Sequence, residues 1–340
     1  MNLSELYKKL PDPIQKSEKI FISSLKLTQF IRQNNQTGPK PNLTLTSSDM
    51  TSKGTLKDIQ LVYLELLRFI DNVCAKYDLE YCLTYGTLLG AIRHKGFIPW
   101  DDDCDILMIR SDYDKLIEVL PKEINKHEFF KENCALTKLI NKKDNFFTDF
   151  NNIYNEEIGH DEFFNTPGLG KSLFLQIGWI KPMVKLDIFP FDFIKPESIN
   201  YYNKNYLYHK LYFRNLYNAK NFSYEKEFDK QFEKLGFSYL PTPFIAEGID
   251  ASFSDNFPPF KKELLFPTTT KEFEGYALKC PNKSEELLKI WYGNYMEIPQ
   301  KVVIHEYVKY NKKLFESQEE MDKSFQKVIN YLKEVNDNFE

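Results

Sequence analysis

Asp101, Asp102, Asp103 and Asp105 put four carboxylates into five residues, and that much like charge repels itself unless something positive sits among it. The spacing sorts them. Asp103 and Asp105 are two apart, so with Asp103 to Ile109 (DCDILMI) read as a strand both carboxylates leave the same face. That disposition suits a divalent cation, and hard oxygen donors suit Mg²⁺ or Mn²⁺. Asp101 and Asp102 precede the strand and read as supporting or capping residues. An isolated Asp triplet is ordinarily a solvated acidic turn. Such a turn requires neither the apolar run that follows this one nor the Gly-Thr turn before it, and this favours metal binding. Cys104 alternates to the opposite face and reads as a small buried apolar residue.

The flanks predict the elements that carry these side chains. Leu79 to Thr84 reads as a strand, and Gly86 with Thr87 as a tight turn opening a short helix from Leu88 to about His94. The free N–H groups at such a start make a natural phosphate seat. Arg93, His94 and Lys95 close that helix with positive charge, either as partners of its dipole or as phosphate contacts, a role for which Arg93 is favoured by its fork geometry. Pro99 prevents the helix from continuing, so Gly96 to Trp100 is a turn leading into the acidic run. Upstream, Thr55 and Asp58 resemble a capping box, and Ile59, Val62, Leu66, Phe69, Ile70, Val73 and Tyr77 keep helical spacing. Downstream, Ser111 caps a helix through Leu120 that Pro121 stops. Val184 to Phe191 reads as an apolar strand with a single acid, Asp187, and a lone carboxylate in such a run is costly to bury without a cation or hydrogen bonds. Asp192, beyond Pro190, reads as a turn residue.

A Gly-Thr turn followed, after a helix, by Asp-x-Asp at a strand start is the signature of the nucleotidyltransferase fold. The longer string GTLLGAIRHKGFIPWDDDCDI, with Leu56 to Leu83 before it and Arg110 to Leu116 after it, closely resembles the LicD family of phosphotransferases, relatives of the fukutin group. DIFPFD at 187–192, FEG at 273–275 and YGNYMEIP at 292–299 resemble the same family, and Lys301 and His305 fall where it often carries basic residues. The resemblance implies an α/β (α+β) fold, a nucleotidyltransferase-like mixed sheet flanked by helices. It implies a Mg²⁺-dependent enzyme that moves a substituted phosphate, typically phosphocholine, from a CDP-linked donor such as CDP-choline onto a glycan, with CMP leaving. Asp187 becomes the third site carboxylate beside Asp103 and Asp105, as metal ligand or as general base. Gly86, Thr87, Arg93, His94, Lys95 and Trp100 fall to the donor side. Choline rests on the resemblance alone, and Trp100, Trp179, Trp291 and Tyr292 are candidates for a cation–π cage. A nucleotidyltransferase attacking an NTP and releasing pyrophosphate would use the same fold, whereas a non-catalytic glycan-binding protein would not need the three acids.

The chain divides, on this reading, into residues 1–54 (an N-terminal helical segment with a Leu27, Phe30, Ile31 stripe, then a Gly/Pro/Ser/Thr-rich linker), a catalytic core at 55–195, a helical, aromatic-rich elaboration at 196–312 and a final helix within 313–340. A hairpin is expected around Lys142 to Asn145. His160, Asp161, Glu162 and the GLGK of 168–171 read as a solvated loop without P-loop spacing. Tyr208, Leu211, Tyr212, Leu216 and Tyr217 are helically spaced, and Ser284 caps a helix that Gly293 ends. With 45 basic against 49 acidic residues the net charge is −4, which offers no grip on a nucleic-acid polymer. Five cysteines without a C-x-x-C pair indicate neither a disulfide framework nor a zinc site and point to a reducing cytosol. Met1 to Leu10 is polar and no run approaches the roughly 20 apolar residues of a membrane span. The expectation is a soluble cytoplasmic protein, with peripheral contact at the inner membrane face left open because lipid-linked glycans are candidate acceptors.

Overall fold

A mixed sheet carries the acidic strand paired on both sides, one in from its edge, with helices on its flanks, the α+β class expected. The computed structural model describes residues 43–137, 174–217, 224–251 and 257–340. The stripe at Leu27 to Ile31, the hairpin at 142–145, and the loop residues 160–162 and 168–171 lie outside the described residues.

In chain order the elements are β1 (Leu43–Thr44), α1 (Thr55–Tyr77), β2 (Tyr81–Leu83), α2 (Tyr85–His94), β3 (Asp105–Ile109), α3 (Arg110–Ile124), α4 (Glu128–Asn133), β4 (Cys134–Thr137), β5 (Leu175–Trp179) and β6 (Val184–Ile194). They continue as α5 (Ile199–Tyr217), α6 (Tyr224–Leu235), β7 (Phe237–Ser238), β8 (Phe244–Glu247), β9 (Phe260–Lys261), β10 (Thr269–Phe273), β11 (Tyr276–Cys280), α7 (Ser284–Tyr292), β12 (Lys301–Val302), α8 (Tyr307–Leu314) and α9 (Gln318–Asp337). The main sheet runs β2-β3-β6-β5-β4, with β7 and β8 also paired to β6 and β9 beyond β8. The β3–β6 pair is parallel and its neighbours are antiparallel. β10 and β11 form a separate hairpin, and β1 pairs with β12.

The helices form where the apolar spacing demands. Ile59, Val62, Leu66, Phe69, Ile70 and Val73 of α1 are fully buried, and α9 lays Met321, Phe325, Val328, Leu332 and Val335 into the same core. Thr55 is not a cap: it is the first helical residue, and its buried hydroxyl accepts from Gln318 Nε2 instead. Residues 43–50, expected as linker, are structured, because Leu43 and Leu45 pack on the core and β1 has a strand partner. Pro121 does not stop α3, which continues to Ile124. Proline removes one N–H, but the last turn is retained by burial of Leu120, Glu123 and Ile124, with the Glu123 carboxylate accepting from Tyr77 and Lys126. A second, smaller core of Tyr202, Tyr206, Phe213, Phe228, Phe232 and Leu235 joins α5 and α6 to the end of β6.

β6 extends through Pro190 to Ile194, and here the expectation for Asp192 fails. Residues 184–188 pair with β5 and residues 191–194 with β8, so Pro190 sits where the ladder changes partner and its missing donor is tolerated. Asp192 is a fully buried strand residue whose carboxylate is gripped by Arg110.

Gly90 sets how closely the chain after α2 returns. A Cβ there would lie 2.4 Å from the Gly96 carbonyl oxygen, so a side chain would push away the turn that leads into the acidic run. Gly90→Ala is expected to cost about 1–3 kcal/mol by overpacking against backbone, read as a lower urea midpoint with an unchanged slope.

Candidate active site

Parallel register delivers the first pair of carboxylates. Asp105, at the start of β3, lies opposite Asp187 of β6, so both side chains leave the same face of adjacent strands. Asp187 N–H continues the pairing by donating to Cys104 O at 2.9 Å. Gln176 of β5 is the antiparallel partner of Asp187, and its Nε2 donates to Asp187 Oδ1 at 2.6 Å. Lys185, two residues before Asp187 and therefore on its face, places Nζ 3.3 and 3.5 Å from the two carboxylate oxygens. Asp103 lies just ahead of β3 rather than in it, with Oδ2 3.3 Å from His305 Nδ1. Thr87 ties helix to strand, its hydroxyl accepting from Asp105 N–H at 2.8 Å. Cys104 is fully buried, as its alternation requires.

The electrostatics are those of an overcrowded acidic cluster. Burial, then Asp103 and Asp187, push the Asp105 carboxyl well above the carboxylate range, with Lys185 opposing. Burial, then Asp103 and Asp102, do the same to Asp101. A divalent cation relieves this kind of crowding, and three hard carboxylates are the donor set it prefers. Among the described residues no three His, Cys, Asp or Glu side chains converge to ligating distance as they stand, because Asp187 is turned to Lys185 and Gln176 and Asp103 to His305. Ligation by all three therefore requires those two side chains to rotate.

Asp102 is a structural clamp. Its two oxygens accept from the backbone N–H groups of His305 and Tyr307, each at 2.8 Å, which caps α8 and brings His305 against Asp103. From the other side, Gln60 of α1 donates to the carbonyls of Ile98 and Asp101, and Tyr63 to that of Asp102. Asp101 closes over the start of α2: a Cβ at Gly86 would stand 2.9 Å from Asp101 Oδ2. Asp102→Ala removes the cap and frees the 304–307 segment. It is expected to cost about 1–2 kcal/mol and to raise amide exchange across residues 304–310 far more than in β3.

The residues expected on the donor side divide. Gly86 and Thr87 occupy the first turn of α2, where the first ladder bond is Leu88 N–H to Thr84 O, and the Thr84 hydroxyl is buried without a partner among the described residues. Arg93 Nη1 donates to Tyr295 O at 2.8 Å, Arg93 Nε donates to His94 Nε2 at 2.9 Å, and both side chains pack on buried Trp100. Burial, then Arg93, lower the His94 pKa, so its ring is neutral at pH 7. Lys95 points away, its side chain 73% exposed and its ammonium 3.6 Å from Glu272 of β10. The three tryptophans do not share one cage: Trp179 packs on Phe129 and Phe130, Trp291 on Tyr85 and Phe260, and Trp100 on His94.

Comparison with known proteins adds to this geometry. The family model described as "LicD/FKTN/FKRP, nucleotidyltransferase domain" matches residues 78–198. The lipopolysaccharide cholinephosphotransferase LicD of Haemophilus influenzae is 30% identical over 276 residues, covering 73% of this chain and 93% of that protein. The chain belongs to the LicD family. An uncharacterised protein of Rickettsia prowazekii is 29% identical over 109 residues, covering 29% of this chain and 41% of its own length. Among the described residues, no helix of this LicD-family chain is long and apolar enough to cross a membrane.

The family-matched segment holds Gly86 through Asp187 but leaves out what braces them. Gln60, Tyr63, His305 and Tyr307 come from outside residues 78–198. The FEG turn also serves this purpose: Glu274 Oε1 accepts from Phe97 N–H and its other oxygen from Lys57, which anchors the hairpin on the turn before the acids. Gln60, 1% exposed among apolar positions of α1, was the available sequence signal for this bracing. Nothing local in the sequence marks Gln176, and Lys185 is marked only by sharing the strand parity of Asp187.

Proposed function

We propose that this protein transfers a substituted phosphate, phosphocholine or a related phospho-alcohol, from a CDP-linked donor to a hydroxyl of a cell-surface or lipid-linked glycan, releasing CMP. The observation that carries the reading is Asp105 abreast of Asp187 beside the first turn of α2, in a chain whose relative LicD is a lipopolysaccharide cholinephosphotransferase. Asp103, Asp105 and Asp187 hold Mg²⁺ or Mn²⁺, which when bound offsets charge on the donor's phosphate oxygens. Tyr85, Gly86 and Thr87 present N–H groups that precede the ladder of α2 and seat a phosphate oxygen. Gly86 leaves room for the Asp101 carboxylate beside this turn, which a side chain there would displace. The Arg93–His94–Trp100 block shapes the far side of this seat, with the Arg93 charge held near Asp101. The proton of the attacking hydroxyl passes to the carboxylate cluster, and positioning with electrostatics supplies most of the rate.

The test is product release from CTP and a panel of CDP-alcohols, with Mg²⁺ or chelator and with or without a glycan extract. Metal-dependent CMP from one CDP-alcohol is expected. Pyrophosphate from CTP would instead identify a nucleotidyltransferase, and glycan binding that is indifferent to metal and to loss of all three acids would identify a binding protein.

A further inference from the structure

We infer that Lys185 is an exchangeable counter-ion: it neutralises Asp187 while the acidic cluster is without its cation and transfers its ammonium to a donor phosphate once the cation is in place. The inference rests on the metal-dependent reading above. Lys185 and Asp187 share one face of β6, with Nζ 3.3 and 3.5 Å from the two oxygens. Among the described residues this carboxylate also accepts from Gln176 Nε2, at 2.6 Å to Oδ1. The lysine is accessible enough to move, with 20% side-chain exposure.

Bare carboxylates this close need a cation, and Lys185 supplies one positive charge to the row. A divalent ion on the same oxygens repels the ammonium at a separation of about 4–5 Å in a partly buried site. Lys185 then needs another anion. The strand fixes its Cα beside Asp187, so the anion within reach is the phosphate drawn to the same row. This arrangement makes metal and lysine competitors before the donor arrives and partners afterwards.

The experiment measures Mn²⁺ binding by EPR and CDP-choline binding by calorimetry for wild type, Lys185→Met, Lys185→Arg and Asp105→Asn. In the absence of nucleotide, Lys185→Met is expected to bind Mn²⁺ roughly 5- to 10-fold more tightly, since a competing charge is gone. With Mn²⁺ present it should bind CDP-choline about 10-fold more weakly, while in chelator it should match wild type within twofold. Lys185→Arg should recover most of the donor affinity, which a purely packing role would not predict. Unchanged Mn²⁺ affinity in Lys185→Met, or an equal loss of CDP-choline with and without metal, overturns the inference. If Asp105→Asn loses Mn²⁺ in that same series, the metal reading itself survives; wild type and Asp105→Asn binding Mn²⁺ alike would remove both.

Discussion

Asp105→Asn is expected to lower transfer by about 10³-fold while raising the melting temperature. The two effects have one cause. Asp105 is buried at the start of β3, and burial, Asp103 and Asp187 together push its pKa well up in the folded protein. A carboxyl raised on folding contributes stability that is present below its unfolded value, about 4, and lost as pH rises through the folded value. Above that unfolded value the metal-free protein therefore bears a cost, either of a buried charge or of the proton taken up on folding, that an amide of the same shape lacks. The Asp105 backbone N–H to Thr87 is unaffected by the change, so the local fold persists. A gain of about 1–2 kcal/mol is expected, measured without metal. Wild type should be more stable at pH 5.5 than at pH 8, and the variant less pH-dependent. The dependence should shrink and not vanish, because Asp101 and Asp102 are raised in the same direction. An Asp105→Asn protein that kept full transfer activity would refute the site assignment.

The largest stability effect is expected at Arg110. Its guanidinium is buried at the start of α3 and bonds two carboxylates bidentately: Nε and Nη2 to Asp192, both at 2.8 Å, and Nη1 and Nη2 to Asp250, at 3.0 and 2.7 Å. Phe228 covers it, with the ring centroid 4.8 Å away, and a Cβ at Gly248 would stand 2.6 Å from Nη2. Burial opposes the arginine's charge, but Asp192 and Asp250 outweigh it and hold its pKa well up. Arg110→Ala leaves two buried carboxylates without their cation, which is expected to cost about 3–5 kcal/mol, seen as a large fall in the urea midpoint or failure to fold. Arg110→Lys cannot satisfy both bidentate partners and should recover only part. Arg110→Met combined with Asp192→Asn and Asp250→Asn should recover most of it, since the penalty comes from unpaired charge. Arg110→Ala at wild-type stability would show that the triad contributes nothing. The triad joins the ends of β3 and β6 to the segment after β8, so it also holds the strand pair on which the site is built.

The chain's local chemistry was sufficient for the acidic strand, its alternation and the helix that precedes it. Periodicity of two and of 3.6 are properties of consecutive residues, so α1, α2, α9 and the apolar β3 and β6 were legible, as was the oddity of one acid, Asp187, in an apolar run. Pairing is not local. Only the parallel register of β3 on β6 put Asp105 opposite Asp187, and only the neighbouring β5 brought Gln176 to it. The fate of each charge was likewise decided by what packs against it. Asp102 became the clamp of α8 because residues 305 and 307 return to it, and Asp192 left its expected turn because β6 exchanges partners at Pro190 and meets Arg110. Lys95 was drawn outward by a hairpin residue, Glu272, and the three tryptophans were separated by the layers of the core. Spacing along the chain dictates which face a side chain leaves; which buried charge it then meets is set by register and packing between segments far apart in sequence.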